Sequence, residues 1–483
     1  MDPILRAALT VLGLAVLTSC ATNPVTGKRD LVLMSEQQEV QLGAQAAQEV
    51  GKEYAQYNLA GLQAYVNQVG QKLAAKSHRP QLQYTFTVVD SAEVNAFALP
   101  GGHVYITRGI MAYLNSEAEL AGVLGHEIGH VTARHSVRQQ SQGTLATLGA
   151  VILGSVLESS TGVGGITNQF GTLATAYVRG YGRDNELEAD RLGAEYLARA
   201  GYDPQAMIRV VGVLKNQELF DAEQAKREGR EPHAYHGLFD THPDADRRLQ
   251  EVVAAAGQFK TNASDDNRSA FLKATNGMIF GDSPEQGLLR GSTFYHAGLG
   301  FAVNFPQDWK VQNRPESVVA IAKAEDVAIE MRMVENAEGD AAGILRQGFK
   351  PDQVYQVENL TIGGLAATRM VAAKGGRPFQ ATAIRLQERL FVFIGLSKNA
   401  ASFKRAQPAI DQSVATFHVI TDAERRAVKP HAIRTMQASP GDSFAQLAKS
   451  SPLGPYAEQY LRLINQRYPA GEPQPGETIK VVG

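Results

Sequence analysis

Leu124-Gly125-His126-Glu127-Ile128-Gly129-His130 is the stretch from which the fold can be read. It has the form H-E-x-x-H. On an α-helix, positions i and i+4 stack on one face, so His126 and His130 can bind one metal ion together. Neutral imidazole suits Zn²⁺, which takes N, S and O donors in a tetrahedral shell. Glu127 lies beside the pair, where it can take a proton from a water molecule. The alternative for these five residues is a pair of core histidines bonded to backbone, so the surroundings decide. Ser116 and Glu119 have the spacing of a capping box. Leu120, Leu124, Ile128 and Val131 follow at helical intervals, and no proline interrupts Glu117 to Gln140. The spacing predicts a helix with one apolar side.

A third ligand has to come from elsewhere. A metzincin would continue H-E-x-x-H-x-x-G-x-x-H. Here those positions hold Ala133 and Ser136, which excludes that class. His135 is one residue out of phase and reads as structural. A later helix, Arg183-Asp184-Asn185-Glu186-Leu187-Glu188-Ala189-Asp190, offers Glu186 and Asp190 on one face. Glu186 is expected to bind zinc, and Asp190 to hold the free N–H of a ligand histidine. Glu188 is the rival ligand, and a solvated acidic face is the plain alternative.

Together, Asn95-Ala96-Phe97-Ala98-Leu99-Pro100-Gly101-Gly102, His126 to His130 and Glu186 to Asp190 resemble the HtpX and CaaX-prenyl-protease family of zinc metallopeptidases. Within it, the similarity is to the BepA/LoiP-type periplasmic lipoproteins. Cys20 to Gly27 and His242-Pro243 share in the resemblance, which covers about the first half of the chain. It implies a gluzincin endopeptidase with one Zn²⁺ per chain, held by His126, His130 and Glu186, with Glu127 as general base. It also implies a strand, Asn95, Ala96, Phe97 and Ala98, at the rim of the cleft, to whose edge a substrate peptide could add. Quality control of misfolded or unassembled envelope proteins is the implied role.

The 483 residues exceed a single core and carry a net charge of −2 without a Lys/Arg cluster, so nucleic acid is not an expected partner. Arg6 precedes an apolar run, Ala7 to Leu17, too short to span a membrane and typical of a signal peptide. Leu17-Thr18-Ser19-Cys20 resembles a bacterial lipobox. Cys20 is the only cysteine, which favours acylation there and excludes internal disulfides. Ala21, where Asp commonly signals inner-membrane retention, favours a lipid anchor in the outer membrane, facing the periplasm.

Along the chain, Ser35 to Lys76 reads as largely helical, and Gln83 to Val89, Asn95 to Leu99 and Val104 to Thr107 as strands. Between the zinc helices, 143–171 is either a mobile hairpin over the site or on the membrane, or a core helix and loop. Met207, Val210, Val211 and Leu214 mark another helix, and Asp221 to Pro232 a polar linker. His242, held extended by Pro243, is a candidate fourth zinc ligand or gate, an oxyanion donor, or a surface histidine. No solenoid repeat follows, a departure from the BepA pattern. From Phe294, alternating strands and a closing helix, Ser402 to Val414, look like a PsbP-like α/β sandwich. The tail, His431 to Val482, is similar to a LysM module, either touching peptidoglycan or acting as a structural cap.

The expected architecture is α+β. It comprises a signal peptide (1–20), a mainly helical zincin domain with a small sheet (21–290), a PsbP-like domain (291–422) and a LysM-like tail (423–483). The expected function is a periplasmic zinc metalloendopeptidase acting on envelope proteins. The rival is a largely latent protease serving as an outer-membrane assembly factor or chaperone.

Overall fold

The computed structural model describes residues 20–141, 182–228, 245–259, 263, 266–314, 317–324, 326–335 and 337–483. The expected signal peptide apart from Cys20, the segment 143–171 and His242 lie outside the described residues. The fold is α+β, in two compact units. One runs to Phe280 and resumes at Ala432–Gly483; the other is Gly281–His431.

The first unit opens with a hairpin of β1 (Cys20–Thr22) and β2 (Arg29–Leu31). Helix α1 (Glu36–Glu53) starts at a full capping box, Ser35 with Gln38, and α2 (Leu62–Ala74) follows after a break. Strands β3 (Thr85–Val89), β4 (Ala96–Leu99) and β5 (His103–Thr107) form a sheet in the order β3-β5-β4. β5 runs parallel to β3 and antiparallel to β4. Short α3 (Arg108–Tyr113) leads into α4 (Glu117–Thr132), which carries the H-E-x-x-H. Then come α5 (Arg183–Arg199), α6 (Ala206–Glu228), α7 (Ala245–Gln258), α8 (Arg268–Thr275) and β6 (Ile279–Phe280).

Two expectations change here. Helix α4 is not apolar on one side only: every residue from Ala118 to Thr132 is buried, because α2, β4, α5 and α6 pack around it. The polar linker expected from Asp221 is instead the end of α6, which continues to Glu228 with Asp221 and Ala225 buried. A polar composition hid one helical face that the core uses.

The second unit is mostly antiparallel sheet. Strands β7 (Leu288–Arg290), β8 (Thr293–His296) and β9 (Phe301–Asn304) make a small sheet with β17 (His418–Val419). The larger sheet has seven strands in the order β10-β11-β12-β16-β15-β14-β13. They are β10 (Lys310–Asn313), β11 (Ser317–Ile321), β12 (Val327–Val334), β13 (Gln353–Ile362), β14 (Leu365–Lys374), β15 (Arg377–Leu386) and β16 (Arg389–Ser397). One face packs with α10 (Ala400–Ala415) and the small sheet around Phe301, Phe391 and Phe417. The nine-residue α9 (Ala341–Phe349) covers part of the other face, through Leu345. A short α11 (Asp422–Ala427) ends the unit.

The tail is a β-α-α-β module: β18 (His431–Gln437), α12 (Phe444–Ala448), α13 (Ala457–Ile464) and β19 (Thr478–Val482). Both strands join β6 in one sheet, in the order β19-β18-β6. Its core residues Phe444, Leu461 and Ile479 belong to the first unit's core. The Lys480 Nζ, fully buried, donates to Ala112 O (2.5 Å) and Leu114 O (2.8 Å), and Asn115 Nδ2 donates to Ile464 O (3.0 Å). These bonds tie the tail to the segment that launches α4.

Candidate metal centre

Helix α4 is set by its ends and its glycines. Ser116 Oγ accepts the Glu119 N–H (3.2 Å), the expected cap. The Glu119 carboxylate takes the Asn115 N–H instead (2.7 Å), one residue before the N-cap. Gly125 and Gly129 face α5. A Cβ on Gly129 would lie 3.0 Å from Ala189 O and 3.1 Å from Ala189 Cα. The absence of side chains there lets the two helices approach closely enough to bring Glu186 to the histidines.

His126, His130 and Glu186 are brought together, all buried, with ligating atoms within 4.8 Å of one another. Glu186 Oε2 is 3.5 Å from His126 Nε2, and Oε1 is 3.4 Å from His130 Nε2. The two Nε2 atoms are 3.0 Å apart. Two imidazole lone pairs cannot face each other at that distance, so a proton or a metal ion has to lie between them. Two nitrogens and a carboxylate oxygen are the donor set that Zn²⁺ takes in sites with an open position. The residues fit the ion. Without a metal a proton supplies the charge: burial pushes His126 down, and Asp190, then Glu186, reverse this and raise its pKa to about 9.

The ring orientations are fixed from behind. Asp190 Oδ1 is 2.8 Å from His126 Nδ1, the arrangement the i, i+4 spacing suggested. Asp190 is itself gripped by Arg248, whose Nε and Nη2 donate to its two oxygens at 2.8 and 2.7 Å. Arg248 Nη1 is 3.3 Å from Glu186 Oε2. Burial works against the guanidinium's charge, but Asp190, Glu186 and Glu127 hold it protonated. The guanidinium thus faces three buried carboxylates.

His130 is oriented by the residue read as structural. His135 Nδ1 is 2.8 Å from His130 Nδ1, and His135 Nε2 is 3.0 Å from Glu188 Oε2. Burial lowers the His135 pKa, so its ring is neutral, and its N–H faces the ionised Glu188. His135 Nδ1 then accepts the His130 Nδ1–H, which leaves the His130 Nε2 lone pair directed at Glu186 and His126. Glu188 therefore stands two hydrogen bonds away from the cluster; it also receives Arg138 Nη1 (3.2 Å). His135 reaches His130 because α4 stops. Ala133 and Arg134 form a turn, Arg134 at φ +56°, and residues 135–141 restart as helix on a new heading.

Sequence reasoning missed His135 and Arg248. Arg247-Arg248 did carry a signal: arginines in the first turn of a helix oppose its dipole, which asks for a compensating anion. Ala96, Phe97 and Ala98 lie on β4 at the edge of its sheet, and Asn95 O accepts the Thr107 N–H (3.0 Å) just before it. Ala98 and Leu99 line a small cleft together with His130. Cys20 stands at the start of β1, where its backbone pairs with Leu31.

Residues 60–256 match Peptidase family M48. The chain is 36% identical over 204 residues to a beta-barrel assembly-enhancing protease of Yersinia pestis, covering 41% of this chain and 40% of that protein. It is 31% identical over 277 residues to the Escherichia coli (strain K12) protein of the same name, covering 56% and 54%. Mitochondrial metalloendopeptidase OMA1 of Arabidopsis thaliana is 36% identical over 133 residues, 27% of this chain and 26% of that one. The chain thus spans about half the length of the curated relatives it matches. Among solved structures, cyanobacterial PsbP from Synechocystis overlaps 29% of this chain and 98% of its own, at 15% identity and a TM-score of 0.23.

Proposed function

We propose that the chain is a zinc-dependent metalloendopeptidase that cleaves misfolded or unassembled proteins of the cell envelope. The observation that carries this is the buried His126–His130–Glu186 cluster inside the segment that matches Peptidase family M48. In this reading the three side chains hold one Zn²⁺, which when bound polarises the scissile carbonyl and acidifies water.

The rest is done by the chain itself. Asp190 and His135 each hold a ligand histidine by its Nδ1, so both Nε2 lone pairs stay aimed inward. Glu127, buried next to His126, takes the proton of the attacking water and returns it to the leaving amine. Arg248 keeps Asp190 ionised. An extended substrate adds to the outer edge of β4 along Ala96, Phe97 and Ala98, with Asn95 fixing the start of that strand through Thr107, a mode that reads backbone more than sequence. His242 serves as a fourth ligand that gates the site. Cys20 carries lipid and holds the enzyme at the periplasmic face of the outer membrane. The PsbP-like region (291–422) is a separate module. The LysM-like tail (423–483) acts as a brace rather than a glycan reader, supported by the burial of Lys480 beneath the start of α4.

The test compares wild type with Glu127→Gln on a loosely folded substrate, with zinc measured in both. Full zinc with cleavage lost is expected. Cleavage at the wild-type rate would remove Glu127 from the chemistry. The relatives' name, which joins assembly to proteolysis, favours a second reading in which cleavage is rare and the chain assists assembly. There, Glu127→Gln would still restore envelope assembly in cells lacking the protein.

A further inference from the structure

We propose that the second unit binds a single-chain anionic amphiphile, of which a long-chain fatty acid is the simplest case. The place is an open groove of about 610 Å³ on the α9 side of the seven-stranded sheet. That volume lies in the range of small-molecule sites, which are apolar with a few polar groups at fixed positions.

The floor is a row across three strands. Ala328 of β12 pairs with Ile321 of β11 on one side and Leu396 of β16 on the other. The small alanine between two larger side chains makes the depression. Phe349, the last residue of α9, and Phe379 of β15 also line it. Helix α9 is only nine residues long and leaves this part of the sheet uncovered. Leu396 is 43% exposed, a cost for an apolar side chain that an alkyl chain would remove.

The rim is cationic. Lys374, Arg377 and Lys398 line the groove, with Asp326 as the one carboxylate among its described lining residues. Asp326 is engaged already, accepting from Ser402 Oγ (2.7 Å) and from Arg405. Lys374 Nζ donates to Phe349 O (2.7 Å), which anchors that ammonium at the groove's wall with donors to spare. A carboxylate head group matches this rim.

A peptide fits less well. β11, β12, β15 and β16 are each paired on both sides, so their backbone N–H and C=O groups are consumed within the sheet. An extended peptide lying over this floor would bury its own polar backbone without partners. An alkyl chain has nothing to satisfy.

The test is a titration of the full chain with a dansyl-labelled undecanoate, followed by displacement with palmitate. Wild type should bind saturably, and hexadecanol should displace the probe about tenfold less well than palmitate, because it lacks the charge. Arg377→Glu with Lys398→Glu, both on exposed side chains, should weaken binding at least about tenfold. Ala328→Trp should fill the depression and remove binding with the rim intact. Near-ultraviolet circular dichroism checks that each variant keeps its fold. Absence of saturable binding in wild type, or unchanged binding in the variants, overturns the proposal. So does displacement by a peptide with an apolar C-terminal residue but not by palmitate, which would assign the groove to protein.

Discussion

Replacing His135 by Ala tests the orientation of the metal site without touching a ligand. In the structure His135 is wholly buried and its Nδ1 lies 2.8 Å from His130 Nδ1. Alanine removes that acceptor. His130 is then free to move its proton to Nε2, the atom that must be bare to bind a cation, or to rotate away from Glu186. Partners of this kind are typically worth 10- to 100-fold in metal affinity, or about 1.4–2.8 kcal/mol. We therefore expect His135→Ala to weaken zinc binding by that factor, measured by competition against a chromophoric chelator at fixed pH. His135→Gln should recover much of the loss, since its amide can accept from His130 and donate to Glu188. Glu188→Ala should fall between, because His135 would keep its place but lose the anion that selects its tautomer. Glu186→Ala should abolish binding outright. If wild type binds no zinc, the metallopeptidase reading fails. If wild type binds and His135→Ala binds equally well, the tautomer argument alone fails.

Gly129→Ala should push α5 off α4, because the new Cβ meets backbone atoms of Ala189 that cannot yield cheaply; a loss of about 1–3 kcal/mol in chemical denaturation is expected, with weaker zinc binding. Glu39→Gln should cost about 3–5 kcal/mol. Its buried carboxylate takes both Arg79 Nη1 (2.7 Å) and Arg134 Nε (2.8 Å), so neutralising it strips Arg134 of that carboxylate and leaves Arg79 with Glu36 alone. The second unit should lose stability in mild acid through His296, whose pKa burial lowers to about 4. The unfolded chain takes up that proton near pH 6.5 and the folded chain only near 4. Stability is therefore full above about 6.5 and lost as pH falls through that window, by on the order of 3 kcal/mol. His296→Gln should flatten this slope in thermal unfolding followed from pH 7 to 4.

The two halves of the His126–His130–Glu186 cluster were legible because each follows helix periodicity. His126 with His130, and Glu186 with Asp190, are each i and i+4 on a helix, and a helix keeps such pairs together whatever surrounds it. His135 was not legible for the complementary reason. On an uninterrupted helix, five residues beyond His130 points well away from it. Its actual place depends on the turn at Arg134, and that turn depends on Glu39, 95 residues upstream, which holds the Arg134 guanidinium. Tertiary structure made the local geometry, so no local pattern could report it. The end of α6 was misread similarly: Asp221 and Ala225 count as polar or neutral in a window, yet both are buried.

The second unit shows the same limit on a sheet. Alternation along Phe301, Val303 and Phe305 correctly marks strands facing a core. It carries the assumption that the opposite face is wet. On β11 that fails: Val318 and Ala320 point into the core, while Val319 and Ile321 line the groove, so the strand is apolar on both sides. A run of this kind reads as a strand buried between two layers. The second layer here is α9, which is too short to reach β11. What the sequence encodes at Ser317–Ile321 is thus a face prepared for burial. The cover missing from it has to be apolar, and the lysines and arginine around it call for a negative end.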